Sequence, residues 1–191
     1  MIKIALCGNI ASGKSTVQKF LESHGYKVLD TDKVAHELLN VDNTKLYSEF
    51  KGYDVFENGE FSREKLGKLV FADKEIKQKL ENILHPQIRE KIKEFFKQNP
   101  SEKYLFVGIP LLFEANMTDL FDKIIFIQAD DDIRLKRLLH RNGYSVDYAK
   151  ARLNSQMRQE EKAQKSDYVI NNNGSIEELY KNIFKLLEQI R

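Results

Sequence analysis

Short apolar runs alternate with longer stretches whose apolar residues recur at helical spacing, the pattern of a parallel sheet covered by amphipathic helices. Five runs read as strands: Ile2–Cys7, Lys27–Leu29, Tyr104–Ile109, Lys123–Gln128 and Tyr168–Ile170. The third and fourth are almost continuously apolar, as expected of strands buried on both faces. The clearest helix is the last, where Ile176, Leu179, Tyr180, Ile183, Leu186, Leu187 and Ile190 make one stripe. Ser175 precedes it and Glu178 follows at the spacing of a capping box.

Two regions break this rhythm. Residues 41–99 hold no good strand and separate the second strand from the third, too long a connection to be a simple loop, so they read as a helical insertion. Residues 136–163 are rich in Arg, Lys, Gln and Glu with few large apolar residues, and fit helices that stand away from the core. The core then comprises 1–40, 100–135 and 164–191 of a single 191-residue domain.

Composition changes this picture little. Apolar residues make up 41% and charged residues 31%, and the net charge is +2 with no block of one sign. That argues against nucleic-acid or membrane binding driven by bulk charge. One cysteine allows no internal disulfide, and the short apolar start before Gly8 lacks the shape of a signal peptide, so a cytoplasmic protein is expected.

The chemistry begins at Gly8-Asn9-Ile10-Ala11-Ser12-Gly13-Lys14-Ser15, which satisfies G-x-x-x-x-G-K-[ST]. Glycines let the backbone turn so that its N–H groups face phosphate oxygens, Lys14 adds a cation for the β- and γ-phosphates, and the Ser15 hydroxyl suits Mg²⁺. The loop follows an apolar strand and precedes Val17, Phe20 and Leu21, a helical apolar set whose N-terminal dipole end lies under the same anion. Cys7 before it reads as a small buried hydrophobe.

Such a loop does not separate kinases from GTPases or motor ATPases. A guanine-specific site usually carries an N-K-x-D-like segment after a late strand, and Asn171-Asn172-Asn173-Gly174 does not match one. A kinase needs an acceptor base and positive charge to close over the phosphates. Asp30 and Asp32, at the end of the second strand, are the carboxylate candidates, since ligands of open parallel sheets bind beyond the strands' carboxyl ends. Alternate residues of an extended segment share a face, which would turn both inward; the competing reading is a cap for the helix of Val34, Leu38 and Leu39. Arg134, Arg137 and Arg141 recur on one helix face, with Arg152 and Arg158 beyond. They read equally as phosphate-neutralising arginines or as a solvated basic face.

Together these pieces resemble the dephospho-CoA kinases, over essentially the whole chain. The markers are the phosphate loop, Asp30 and Asp32, Phe61-Ser62-Arg63-Glu64-Lys65-Leu66, Leu80-Glu81-Asn82-Ile83-Leu84-His85-Pro86, Pro110-Leu111-Leu112-Phe113-Glu114, Arg152-Leu153-Asn154-Ser155-Gln156, and Ser166-Asp167-Tyr168-Val169-Ile170-Asn171-Asn172. The resemblance implies a three-layer α/β/α P-loop fold with a five-stranded parallel sheet, and ATP-dependent phosphorylation of the ribose 3′-hydroxyl of dephospho-CoA. By position it makes 41–99 the CoA-binding insertion and 136–163 the lid. It implies ATP contacts from Gly8 through Thr16, Arg137 and Asn172, and catalytic roles for Asp32, Lys14 and Arg141. It also implies acceptor contacts from Asp32, Arg63, His85, Pro110 and Leu111. The partners are then small molecules, with Mg²⁺ as cofactor and a monomer or weak homo-oligomer as the assembly.

The chain departs from the family pattern in places. The family usually reads G-G-I-G-S-G-K-S, where Asn9 and Ala11 replace glycines. Asn tolerates a positive φ, whereas Ala11 is expected to keep φ negative or accept strain. Gly108 stands where an acidic residue often precedes P-L-L, which shifts the expected Mg²⁺ support to Ser15, Asp30 and water; Ser166 replaces a frequent alanine. Two readings of His85 are open, an acceptor ligand or a hinge residue at which Pro86 ends one helix and starts the next.

Overall fold

The computed structural model describes residues 1–40 and 42–190, with the Arg63 side chain outside that set. Its compact units are 1–30 with 96–191, and 31–95.

In the first unit, strand β1 (Ile2–Gly8) leads into helix α1 (Lys14–Ser23), and β2 (Lys27–Asp30) ends where helix α2 (Thr31–Leu38) opens the second unit. The second unit continues with α3 (Thr44–Phe50), the short strands β3 (Phe56–Glu57) and β4 (Glu60–Phe61), α4 (Arg63–Ala72) and most of α5 (Lys74–Gln98). The chain then returns through β5 (Tyr104–Gly108), β6 (Lys123–Gln128), α6 (Asp131–Asn142), α7 (Val146–Asn154), α8 (Gln159–Gln164), β7 (Tyr168–Asn171) and α9 (Ile176–Gln189). All five expected strands are present, and they form one parallel sheet in the order β2-β5-β1-β6-β7.

The sheet is buried on both faces, which is why β1 and β5 are apolar at successive positions. Ile4 and Leu6 on one face and Ala5 and Cys7 on the other are all 0% exposed. Helices α1 and α9 cover the first face: Val17, Phe20 and Leu21 meet Leu179, Ile183 and Leu186 over Ile4, Leu6, Phe106 and Ile125. Each such side chain contributes about 1.5–3 kcal/mol by leaving water. The expected capping box of α9 is formed, and the Tyr104 hydroxyl donates to Ile190 O at 2.7 Å near the helix end. Ile176, expected in the buried stripe, is exposed.

The 31–95 unit has its own apolar cluster of Leu46, Phe50, Val55, Phe61, Leu66 and Ile76. The expectation of no strand there fails at β3 and β4, which pair antiparallel as Phe56↔Phe61 and Glu57↔Glu60. Between them Asn58 and Gly59 take φ of 51° and 84°. Asn-Gly is the strongest short-range hairpin signal, because both central residues of a type I′ turn need positive φ. Of the two open readings of His85, the helix break at Pro86 is not realised: α5 runs unbroken through it for 25 residues. A proline inside a helix costs about 3 kcal/mol, a loss opposed by the buried Leu84, Ile88 and Ile92 on the same helix.

Candidate active site

The phosphate loop spans the carboxyl end of β1 and the start of α1. Ser12 N donates to Asn9 O at 3.0 Å, and Gly13 caps α1 with φ 103°, open to glycine at no steric cost. A Cβ at Gly13 would also lie 2.1 Å from Asn172 Nδ2. Ala11 adopts φ 62°, so the strained alternative is the one realised, whereas Asn9 keeps φ negative. Helix geometry points the first-turn amides of α1, at Lys14 and Ser15, out of its N-terminus, where an anion is favoured.

Distant segments hold the loop. Asn172, just beyond β7, donates from Nδ2 to Ser12 O at 2.7 Å. Asn9 Nδ2 donates to Met157 O at 2.9 Å, and Ile10 N donates to Gln156 Oε1 at 2.7 Å. Arg134, buried on α6, donates from Nε to Ile10 O at 3.0 Å and from Nη1 to Asp131 Oδ1 at 2.7 Å. Burial pulls the Arg134 guanidinium below its ordinary value, and the adjacent Asp131 carboxylate opposes that. Arg137 Nη2 donates to Asn172 O at 3.0 Å.

Among the described residues, the buried side-chain polar atoms without a hydrogen-bond partner are Asn9 Oδ1, Ser12 Oγ, Gln18 Nε2, Arg134 Nη2 and Arg137 Nη1. Every one belongs to the loop, to α1 beside Lys14, or to an arginine bonded to the loop or to Asn172, which holds it. An unsatisfied buried polar group costs about 1–3 kcal/mol, so their clustering marks a place where a polar ligand recovers that cost. Two of them are guanidinium donors, which select an anion.

Lys14 is 8% exposed; its Nζ donates to Gln18 Oε1 at 3.2 Å and lies 3.8 Å from Asp30 Oδ1. Asp30 ends β2, in register with Gly108 of β5. Ser15 is exposed and Thr16 half-buried in the first turns of α1. No group of three or more His, Cys, Asp or Glu among the described residues is spaced to hold a metal. The Ser15 hydroxyl and the Asp30 carboxylate are hard oxygen donors, the type that suits Mg²⁺ when phosphate oxygens and water complete its shell.

Other expected residues fall elsewhere. Asp30 and Asp32 are not alternate residues of one extended segment, because α2 begins at Thr31 and puts Asp32, exposed, in its first turn. A carboxylate there is favoured by the helix dipole, a structural reason for part of its placement. Arg141 is exposed, its Nε donating to Asn142 Oδ1 at 2.8 Å, whereas Arg134 bonds the loop directly and Arg137 bonds Asn172, which holds it. His85 is half-buried on α5, and desolvation lowers its pKa. Arg63 begins α4, its side chain lying outside the described residues.

The region from 136 to 163 does not stand wholly away from the core. Gln159 donates to Ala129 O at 3.0 Å, and Lys162, 0% exposed, pairs with Glu114 at 2.8 Å and donates to Pro110 O at 3.2 Å. Glu114 Oε1 also accepts from Met157 N at 3.4 Å, and Leu111 O accepts from Ala115 N at 2.8 Å. Pro110 is thus tied into this network through its carbonyl, while Leu111 O closes a local turn. Burial pushes the Cys7 thiol up to about 12, with Lys162 opposing, so Cys7 stays a neutral thiol. A cavity of about 530 Å³ opens beside the loop after β7, lined by residues that include Asn171, Asn172, Gly174, Glu178 and Lys181.

Sequence reasoning missed Gln18, Gln156, Gln159 and Lys162. Gln156 lies in a quoted motif without an assigned role, and nothing local distinguishes the other three from surface residues.

A phosphate loop opening a helix at the end of a central parallel strand, ringed by arginines, defines the chain as a P-loop kinase. A Bacteroides thetaiotaomicron shikimate kinase shares the fold, with TM-score 0.55 at 14% identity over 99% of this chain and 98% of that one. The family model for dephospho-CoA kinase matches residues 2–178, and the chain belongs to that family. It is 39% identical to a dephospho-CoA kinase from Carboxydothermus hydrogenoformans, over 97% of this chain and 93% of that one. It is 37% identical to one from Listeria monocytogenes, over 97% and 96%. A solved dephospho-CoA kinase from Campylobacter jejuni superposes with TM-score 0.72 at 35% identity, covering 98% of this chain and 96% of that one. The family's reaction is the ATP-dependent phosphorylation of dephospho-CoA to coenzyme A, the final step of coenzyme A biosynthesis.

Proposed function

We propose that this chain transfers the γ-phosphoryl group of ATP to the ribose 3′-hydroxyl of dephospho-CoA, with Lys14, Asp32 and the α6 arginines as its working side chains. The observation that carries this reading is the ring of unfilled buried donors, Arg134 Nη2 and Arg137 Nη1 among them, around a phosphate loop that already holds Lys14. The 3′-oxygen forms its bond to the γ-phosphorus as the bond to the β–γ bridging oxygen breaks, and that electron pair leaves with ADP. The proton of the hydroxyl passes to the Asp32 carboxylate late, because the transition state is loose. Lys14 and the loop amides hold the phosphates, Arg137 and Arg141 neutralise charge as it spreads, and positioning supplies much of the rate. Ser15 and Asp30 would hold Mg²⁺, which would supply neutralisation of phosphate charge when bound.

The insertion of residues 41–99, with Arg63 and His85, takes the CoA portion, and Pro110 and Leu111 of the core are acceptor contacts. The region from 136 to 163 acts as the lid, and Asn172 with the cavity after β7 receives the adenine. The enzyme works in the cytoplasm as a monomer or weak homo-oligomer.

Coupled ADP release tests the acceptor: turnover is expected with dephospho-CoA and not with a panel of nucleosides and nucleotides. Equal turnover across the panel would reject the assignment. Asp32→Asn should lower kcat by about 10²–10³, the lower half of the range for a positioned base, with ATP affinity little changed. Excess Mg²⁺ should partly rescue Asp30→Asn and leave Asp32→Asn unchanged. The reverse pattern would assign the base to Asp30.

A further inference from the structure

Gly108 leaves the end of β5 without a side chain, at a register position between Leu6 of β1 and Asp30 of β2. That space is filled from α1. A Cβ built on Gly108 would lie 2.1 Å from Gln18 Nε2, 2.6 Å from Cδ and 3.2 Å from Oε1. Gln18 is 4% exposed, so its carboxamide is lodged over the glycine, and its Oε1 accepts from Lys14 Nζ at 3.2 Å. Asp30 Oδ1 lies 3.8 Å from that ammonium.

We propose that Gln18, seated on Gly108, is a positioning residue for phosphoryl transfer that acts through Lys14. A long amide one turn after Lys14 lies within reach of the ammonium, and it can hold that place over the sheet because β5 offers no side chain at Gly108. The carboxamide is neutral, so it fixes Nζ by a hydrogen bond and leaves the full positive charge for the phosphates, whereas an ion pair with a carboxylate shares it. Without that acceptor, the ammonium has Asp30 beside it as a competing partner. A hydrogen bond to a charged group is among the stronger kinds, and its loss moves rates by about tenfold or more. Packing alone would not require an acceptor: a thioether of similar length fills the same space.

The inference rests on the kinase reading of the loop, and the controls keep the two apart. Wild-type turnover of ATP with dephospho-CoA, and its loss in Lys14→Ala, establish that reading on their own. Gln18→Met then keeps the volume over Gly108 and removes the acceptor. It is expected to melt close to wild type, to lose about tenfold in kcat, and to keep its KM for ATP within about threefold. In the Lys14→Ala background, Gln18→Met should change the residual rate by less than about twofold, since the two residues act as one unit. Gly108→Ala, which forces the carboxamide off its seat, should reproduce the fall in kcat. Wild-type kcat in Gln18→Met, or an equal loss with and without Lys14, would overturn the proposal and leave Gln18 as packing.

Discussion

In the phosphate loop, Asn9, Ile10 and Ser12 are each bonded to residues 124 to 160 positions away along the chain. In the 31–95 unit the polar contacts are mostly local, such as Lys68 with Glu64 and Lys77 with Glu81 one helical turn apart. The loop's contacts are buried or half-buried, while Lys68 and Glu64 are 74% and 76% exposed. Exposed pairs of this kind contribute little to stability. The 31–95 unit is held by apolar contact around Phe50 and Leu46, both 0% exposed. The loop is shaped by directed hydrogen bonds among groups that leave donors over. One region is built to stay folded, and the other to hold a charged ligand at a fixed place.

The sharpest way to break this comparison is Lys14→Ala. It should reduce turnover by about 10²–10³, the usual loss of one preorganised donor, while the melting temperature stays close to wild type. Near-normal activity in the folded variant would remove the loop from the mechanism. Phe50→Ala should show the converse. It opens a cavity in the apolar cluster and should cost about 3–5 kcal/mol of stability, read by denaturant unfolding, with kcat per folded molecule retained. A smaller loss would mean that the cluster collapses around the missing ring.

The smallest expected effect is acid sensitivity at His85. Burial lowers its pKa in the folded chain below the ordinary value of 6.5, so the unfolded chain binds the proton more readily. Stability from this group is therefore complete above pH 6.5 and is lost as the pH falls below that value through the lowered folded pKa. Since His85 is only half-buried, the change should be modest. His85→Gln should flatten the unfolding free energy between about pH 7 and 5, and an unchanged slope would show that other groups set it.

Much of the fold was legible because its signals are local. A strand buried on both faces is a continuous apolar run, an amphipathic helix is a stripe, and the phosphate loop is one contiguous motif, so β1, β5, β6, α9 and the loop could be read directly. The β3–β4 hairpin carried a local signal too, Asn58-Gly59, masked by strands only two residues long. Pro86 misled because local propensity was overruled: the burial of Leu84, Ile88 and Ile92 carries the helix through it.

The sequence by itself determined the parallel sheet, the phosphate loop and the family, since each depends on neighbours along the chain or on motifs kept in order. Only the tertiary structure decided which polar residues meet the loop. Arg134 bonds the loop at Ile10 O and Arg137 bonds Asn172, which holds the loop, while Arg141, on the same face but at the exposed end of α6, bonds its neighbour Asn142. Gln18, one turn after Lys14, can lay its carboxamide over the sheet because a strand some ninety residues later ends in glycine. Such contacts depend on which side chains a packed sheet brings within about 3 Å, and a one-dimensional pattern does not carry that distance.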